Sequence, residues 1–420
     1  MIERVSLFTK KQDIFISLAL AFFILTITLL FEYKNYYEFN RFDSITQEAT
    51  VLKQYLKSKN NRAYQVLKLR SDDGVTFYTT AKKSLEDIRE KKIKILIWPK
   101  ELTFLSYLSS FYANSKILNI YEQKTVKQQL NDYISDVHVD KSIANIYHAL
   151  YSATPLEKES QSIFSNLGIS HLLAISGFHL GVLSALLYFF IRPIYSFFQN
   201  RFFPYTNAWR DTFFIVALIL FAYTLFLGSP PSLVRALGML IVGFFLYERG
   251  IEVISMQTLF ITILLLLAFF PRLFFSLGFW LSSSGVFYIF LFFIYFKNLS
   301  KAWQFLLLPI WVYLLMLPYS LAIFENFSSL HPLSIIWTTL FTLFYPLSIF
   351  AHLVGYGSIF DSSLLWLLDL GRTGEVVGIG IYTFLLYLLL SLGAIFYKKV
   401  MWSLLLFSCA IFIYSIYQIA

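Results

Sequence analysis

The sequence predicts a polytopic α-helical membrane protein with a small β-rich extracytoplasmic domain. Three observations carry this reading. Hydrophobic residues make up 57% of the 420 residues and charged residues only 14%, where soluble domains carry about 25% charged residues. Uncharged runs near the length of about 20 residues that a bilayer requires recur along the chain. One stretch alone, residues 32–165, is polar, charged and free of such runs.

The elements follow in order. A basic N-terminus (Arg4, Lys10, Lys11) precedes the run Ile14–Phe31. Small residues suited to cleavage do not follow Phe31, so the run is expected to stay as an anchor. Further spans are expected at His171–Ile191, Thr212–Leu227, Ser232–Tyr247, Val253–Phe270, Leu273–Phe296, Ala302–Phe324, Val376–Tyr397 and Val400–Ala420. In the polar stretch, Tyr64, Val66 and Lys68 alternate with Gln65, Leu67 and Leu69. Ser71-Asp72-Asp73-Gly74 reads as a hairpin turn before Val75, Phe77 and Thr79, and Ile93, Ile95 and Ile97 form another strand. Several short strands of this kind suggest a small barrel of oligonucleotide-binding (OB) type. From Glu101 the pattern turns helical.

Basic residues orient the chain. With a cytoplasmic N-terminus, Arg192, Arg201, Arg210, Arg249, Lys297 and Lys301 all fall inside, as the positive-inside rule asks. Lys398 and Lys399 would fall outside if Pro332–Leu353 crossed. A re-entrant stretch turning near Tyr345-Pro346 restores parity; an extra crossing at Leu364–Leu370 is the alternative, though too short to span alone. Part of the net charge of +9 is therefore topological. The lone Cys409 excludes an intramolecular disulfide and Cys-based metal sites.

Polar residues inside a membrane face cavities or partners. In His171-Leu-Leu-Ala-Ile-Ser176-Gly177-Phe-His179-Leu-Gly181, Ser176 and His179 share a helix face, and Gly177, Gly181 and Ala185 form a small-residue seam for a close helix. The bland alternative is that the histidines are hydrogen-bonded packing residues; a metal pair lacks a carboxylate ligand and a Ser-His nucleophile lacks an acidic orienter, which counts against both. In Gly228-Ser-Pro-Pro-Ser-Leu-Val-Arg235-Ala236, Arg235 lies about one turn into the membrane, on the side the positive-inside rule disfavours, and Arg272 breaks the rule in the same direction. The pair suggests attraction of an anion such as phosphate, against a snorkelling role. Gly278-Phe-Trp-Leu-Ser282-Ser-Ser-Gly285 reads as helix glue or pore lining. Residues 41–101 carry 14 Lys and Arg against 8 Asp and Glu, interleaved with Tyr55, Tyr64, Phe77, Tyr78 and Trp98. That pattern suits single-strand nucleic-acid binding or a solvated basic surface.

These motifs, in this order, with Phe327–Ser334 after them, make the chain resemble the ComEC-type competence proteins, inner-membrane channels for DNA uptake. The resemblance covers roughly Leu167–Pro346 and, loosely, the polar domain. It implies a short form that passes single-stranded DNA from periplasm to cytoplasm. His171, Ser176, His179, Arg235, Arg272 and Ser282 are candidate path residues, and Gly177, Gly181 and Gly278 candidate packing positions. Domains are then expected as an anchor (1–31), a periplasmic OB-like and helical domain (32–165), a membrane channel core (166–360) and a C-terminal interfacial segment with two membrane helices (361–420). Many family members end in a metallo-β-lactamase-like domain. No His-x-His-x-Asp-His string occurs here, so neither a nuclease nor a metal or other cofactor is expected of this chain. No Gly-x-x-x-x-Gly-Lys-Ser/Thr motif occurs either, which implies a separate cytoplasmic translocase or helicase motor. A periplasmic DNA-binding competence protein, membrane lipid and possible self-association complete the expected partners. The competing readings are an intramembrane hydrolase using Ser176 and His179, and a small-anion transporter centred on Arg235.

Overall fold

The computed structural model describes residues 6–8, 10–59, 62–99, 102–121, 125–372 and 374–419; Arg4 and Glu101 lie outside them. The chain divides into two compact units. One comprises residues 10–134 and 264–277; the other holds 135–263 and 278–420 together with the first residues of the chain. The division falls at 134/135, so the helices of 135–165 group with the membrane-type helices and not with the strands.

In the first unit, α1 (Lys11–Asn40) precedes six strands: β1 (Ile45–Lys59), β2 (Arg62–Ser71), β3 (Thr76–Ala81), β4 (Lys92–Trp98), β5 (Phe111–Tyr112) and β6 (Asn114–Ile120). A short helix, α2 (Phe104–Ser109), lies between β4 and β5, and α3 (Val126–Val137) follows β6. The sheet order is β5-β3-β2-β1-β4-β6, with only β3 and β5 parallel. Its two edges meet: the Thr79 and Ser115 hydroxyls lie 2.6 Å apart, and Ala113 N–H donates to the Tyr78 carbonyl. Alternation drives the curl, because one residue in two must point inward. Ala49, Val51, Leu67, Leu69, Phe77, Ile93, Ile95 and Ile97 are fully buried, and Phe39 of α1 packs on them. The Ser71–Val75 turn carries Gly74 at φ +79°, a left-handed conformation that glycine adopts at no steric cost.

The second unit is helical. It contains α4 (Lys141–Ser152), α5 (Lys158–Asn166), α6 (Ser170–Leu173), α7 (Gly177–Phe202), α8 (Ala208–Phe226) and α9 (Pro231–Glu248). After α10 (Met256–Phe269), in which a unit boundary falls, come α11 (Leu277–Phe296), α12 (Lys301–Phe324), α13 (Ser334–Leu353), α14 (Asp361–Leu370), α15 (Ile381–Gly393) and α16 (Lys398–Ile419). Two-residue strands β7 (Asn326–Phe327) and β8 (Glu375–Val376) pair antiparallel. Among the described residues eight helices are long and apolar enough to cross a membrane: α1, α7, α8, α9, α11, α12, α16 and the stretch His331–Leu353 that contains α13. The protein is thus a multi-pass membrane protein. The expected spans Val253–Phe270 and Val376–Tyr397 shorten to α10, with 14 residues, and α15, with 13. At 1.5 Å per residue both fall short of the roughly 30 Å hydrocarbon core.

The expected turn at Tyr345-Pro346 is absent, since α13 runs unbroken through Pro346. An interior proline removes one backbone hydrogen bond and can leave the helix continuous where neighbouring packing holds it. The chain instead reverses at 354–360. His331, before α13, lies against Gly168, where an added Cβ would come within 2.8 Å of the imidazole. His352, at the other end, reaches Tyr151 and His138. Then α14 leads back to Gly371, which abuts the Ile163 carbonyl, and to Gly374 beside Asn166. Residues 326–376 therefore leave and rejoin one place in the helical unit. Further on, Tyr295 at the end of α11 donates to the Ala394 carbonyl, and Phe296 meets Trp402. Lys398 accordingly lies at the same end of this helix group as Lys297.

Candidate functional site

The first two polar motifs come together at the start of α7. Leu172, Leu173 and Ile175 are buried and anchor the preceding turn. Ser176 adopts extended backbone and caps the helix, its Oγ accepting from the Phe178 N–H at 3.3 Å. The Ser176 N–H in turn donates to His179 Nδ1 at 3.2 Å. A backbone N–H only donates, so Nδ1 is an acceptor and a neutral His179 carries its proton on Nε2. That Nε2 is buried and makes no close hydrogen bond among the described residues, the Leu172 backbone being a further polar influence on the ring. The imidazole is 1% exposed and is boxed by Phe178, Phe341 and Tyr345. Ser176 and His179 are thus a reciprocal helix cap and not residues one turn apart within a helix.

The α8–α9 turn is clamped onto this cap. Gly228 and Ser229 both hold positive φ (+75° and +52°), Pro231 opens α9, and the Ser232 hydroxyl donates to the Ile175 carbonyl at 2.7 Å. The clamp places Arg235 beside Gly177. A Cβ at Gly177 would stand 3.1 Å from Ala236 Cβ and 3.4 Å from Arg235 NH2. At Gly181 it would meet nothing within 4 Å, so the expected small-residue seam narrows to Gly177. Arg235 is 2% exposed, and its Nε and NH1 have no partner among the described residues. No acidic residue occurs in 212–247. The arrangement offers two helix N-termini, a buried guanidinium and an imidazole N–H, all of them donors suited to an anion.

The other expected residues lie elsewhere. His171, in α6, is exposed yet within electrostatic reach of His179 and His331. Segment 327–334 joins this neighbourhood: Ser328 Oγ donates to the Asn166 carbonyl at 2.6 Å, and buried His331 contacts the Tyr313 hydroxyl. On α11, Gly278 is exposed, Ser282 half-buried, and Ser283 buried with its Oγ unpartnered among the described residues. Arg272 belongs to the other unit, where Glu32 grips it through two hydrogen bonds of 2.9 and 2.8 Å.

A second basic feature lies on the outside of the sheet. Lys53 stands directly opposite Lys68 in register, and the Lys68 ammonium lies 5.4 Å from the centre of the Tyr78 ring. Burial, then the neighbouring Lys68, hold the Lys53 ammonium below its ordinary pKa; burial, then Arg70, do the same to Lys68. Like charges facing each other across strands repel, and a bound anion relieves them. The sequence reading found the charge excess but not this register. It also missed the trio of buried His138 and His352 with half-buried Asp361, in which His138 lies more than 200 residues from the other two. The spacing of Tyr345, Ser348 and His352, which puts polar atoms on one face of α13, was the signal available.

A family model described as "Competence protein" matches residues 153–419. An uncharacterized protein of Aquifex aeolicus (strain VF5) is 26% identical over 174 residues, which cover 40% of this chain and 38% of that relative. No solved structure matches the chain.

Proposed function

The chain belongs to the competence protein family, and from that premise we propose that it passes single-stranded DNA across the inner membrane from periplasm to cytoplasm. Family membership supports a role in competence and DNA uptake, and transport over catalysis. The observation that carries the finer reading is Arg235 of α9, a buried guanidinium with two nitrogens unpartnered among the described residues, beside the N-terminus of the 26-residue α7. An unpaired buried cation costs several kcal/mol, which a passing phosphodiester would offset.

The first unit fits the reading. Its strand pairing, with β1 between β2 and β4 and β3 parallel to β5, supports an OB-type reading. Its outer face offers Lys53, Lys68 and Tyr78, a combination suited to backbone charge and stacked bases. A periplasmic DNA-binding protein would deliver the strand and a cytoplasmic motor would draw it in. The hydrolase alternative is less favoured, because Ser176 and His179 already satisfy each other as a cap and no carboxylate orients the imidazole. The test is DNA uptake by a deletion strain carrying Arg235→Gln. The expected outcome is loss of uptake with normal membrane accumulation. Normal uptake would refute the path through this site.

A further inference from the structure

Polar groups outside the α7 site converge at the tip of the α13–α14 hairpin. His138, just ahead of α4, has a fully buried side chain. Its Nδ1 lies 2.9 and 3.0 Å from the two carboxylate oxygens of Asp361, the first residue of α14. Its Nε2 lies 3.0 Å from Nε2 of His352, in the last turn of α13. His352 Nδ1 lies 2.7 Å from the Ser348 carbonyl oxygen and 3.3 Å from the Tyr151 hydroxyl.

Counting donors fixes the number of protons. The Ser348 carbonyl only accepts, so His352 Nδ1 carries a hydrogen and the neutral ring presents Nε2 as an acceptor. The contact between the two Nε2 atoms then needs a hydrogen on His138. The contact of His138 Nδ1 with Asp361 needs another, on the ring or on the carboxyl. Three contacts hold three protons, whereas an ionised carboxylate and two neutral imidazoles supply two. Without the third proton two lone pairs face each other at 3.0 Å in a buried place.

Packing beneath the tip is thin. Between the hairpin and α4–α6 lies a cavity of about 560 Å³ lined by Leu150, Leu173, Trp337, Phe344, Phe360 and Leu364, among others. The base of the hairpin is tied by the β7–β8 pairing and by Asn166, which donates to the Gly371 carbonyl. The tip therefore depends more on its polar contacts than a close-packed element would.

We propose that His138, His352 and Asp361 form a proton-dependent latch that holds the hairpin tip on α4, closed most firmly around the pH at which a free imidazole is half-charged and released on either side. The titratable groups facing it are Tyr147 and Tyr151 from α4, His352 from α13 and Asp361 from α14. Asp361 forms its salt bridge with His138, and no Lys or Arg pairs with it among the described residues. The closed form holds three protons, because His352 must stay neutral to accept from His138, whereas the open form holds two above the pH at which free imidazoles titrate and four below it. Its advantage is therefore greatest near about pH 6.5 and falls by up to about tenfold per pH unit on either side. Phe341 and Tyr345, which cover His179, sit on the same α13, so release would loosen the cover of the α7 site. The latch does not depend on what that site binds.

The test is hydrogen exchange of 354–360 in the full-length protein in lipid nanodiscs between about pH 5 and 8, the range in which imidazole changes charge, corrected for intrinsic exchange. Opening of the wild type should be least near about pH 6.5 and rise above it toward about tenfold per unit, while the 394–397 turn stays flat. His138→Gln and Asp361→Asn should remove the rise above that minimum. If those variants fail to accumulate, the wild-type profile decides alone. A flat wild-type profile overturns the latch. So does a stoichiometric metal ion whose removal by chelator opens the tip, because the cation between the rings would then not be a proton.

Discussion

Arg272 and Arg235 look alike in the sequence, each a lone arginine on the side where the positive-inside rule disfavours it, yet their surroundings are opposite. Arg272 meets Glu32 fork to fork, gives a third hydrogen bond to the Gly74 carbonyl at 3.0 Å, and lies 5.0 Å from the centre of the Tyr107 ring. It ties α1 and the β2–β3 turn to the segment after α10. Among the described residues Arg235 has no carboxylate partner, and two of its nitrogens have no partner at all. One arginine completes its unit, and the other leaves its site incomplete. A buried cation is structural when its own chain satisfies it, and a candidate for ligand work when it does not.

The sharpest test of the contrast is stability. Arg272→Gln strands Glu32 in a part-buried position and should cost about 2–3 kcal/mol. A double-mutant cycle with Glu32→Gln should show coupling of at least about 1.5 kcal/mol. Arg235→Gln should leave chemical denaturation unchanged or shift it to higher denaturant. Equal losses for the two variants would erase the distinction.

Next in size is the outer sheet face. In the full-length protein, Lys53→Glu with Lys68→Glu should weaken single-stranded oligonucleotide binding about tenfold at low salt and flatten its salt dependence. An unchanged salt slope would make this face a solvated surface. The full chain is needed because a fragment ending at residue 100 would lack β5 and β6, which close the sheet.

Smaller effects sharpen the geometry around Arg235. Gly177→Ala should cost about 1 kcal/mol, since its methyl would press on Ala236 at 3.1 Å, and uptake should fall with it. Arg235→Lys keeps the charge and loses the planar fork, so uptake should be reduced without being lost. Full uptake by the lysine variant would mean that charge alone suffices.

Much of the fold was legible because its causes are local. Apolar runs marked the long helices, Ser71–Gly74 marked the hairpin, and Ile93, Ile95 and Ile97 showed which strand face is buried. What was not legible depends on distant pairing. Nothing near Arg272 in the sequence points to Glu32, 240 residues away, and His138 meets Asp361 across 223 residues. The motifs around His179 and Arg235 were visible, but the Ser232–Ile175 clamp that joins them was not. Pro346 misled because a proline inside a helix and a proline at a turn look the same in one sequence.

The two-residue ribbon of β7 and β8 has a consequence for how this chain can change. The segment between them begins and ends at neighbouring points, so its length is uncoupled from the direction in which α15 and α16 run. Insertions or deletions within 328–374 can remodel the hairpin without reversing which side of the bilayer the following loops face. A membrane protein seldom has that freedom, because each added crossing inverts everything downstream. Here the ribbon acts as a modular joint, and variation among related chains can accumulate beyond it at no topological cost.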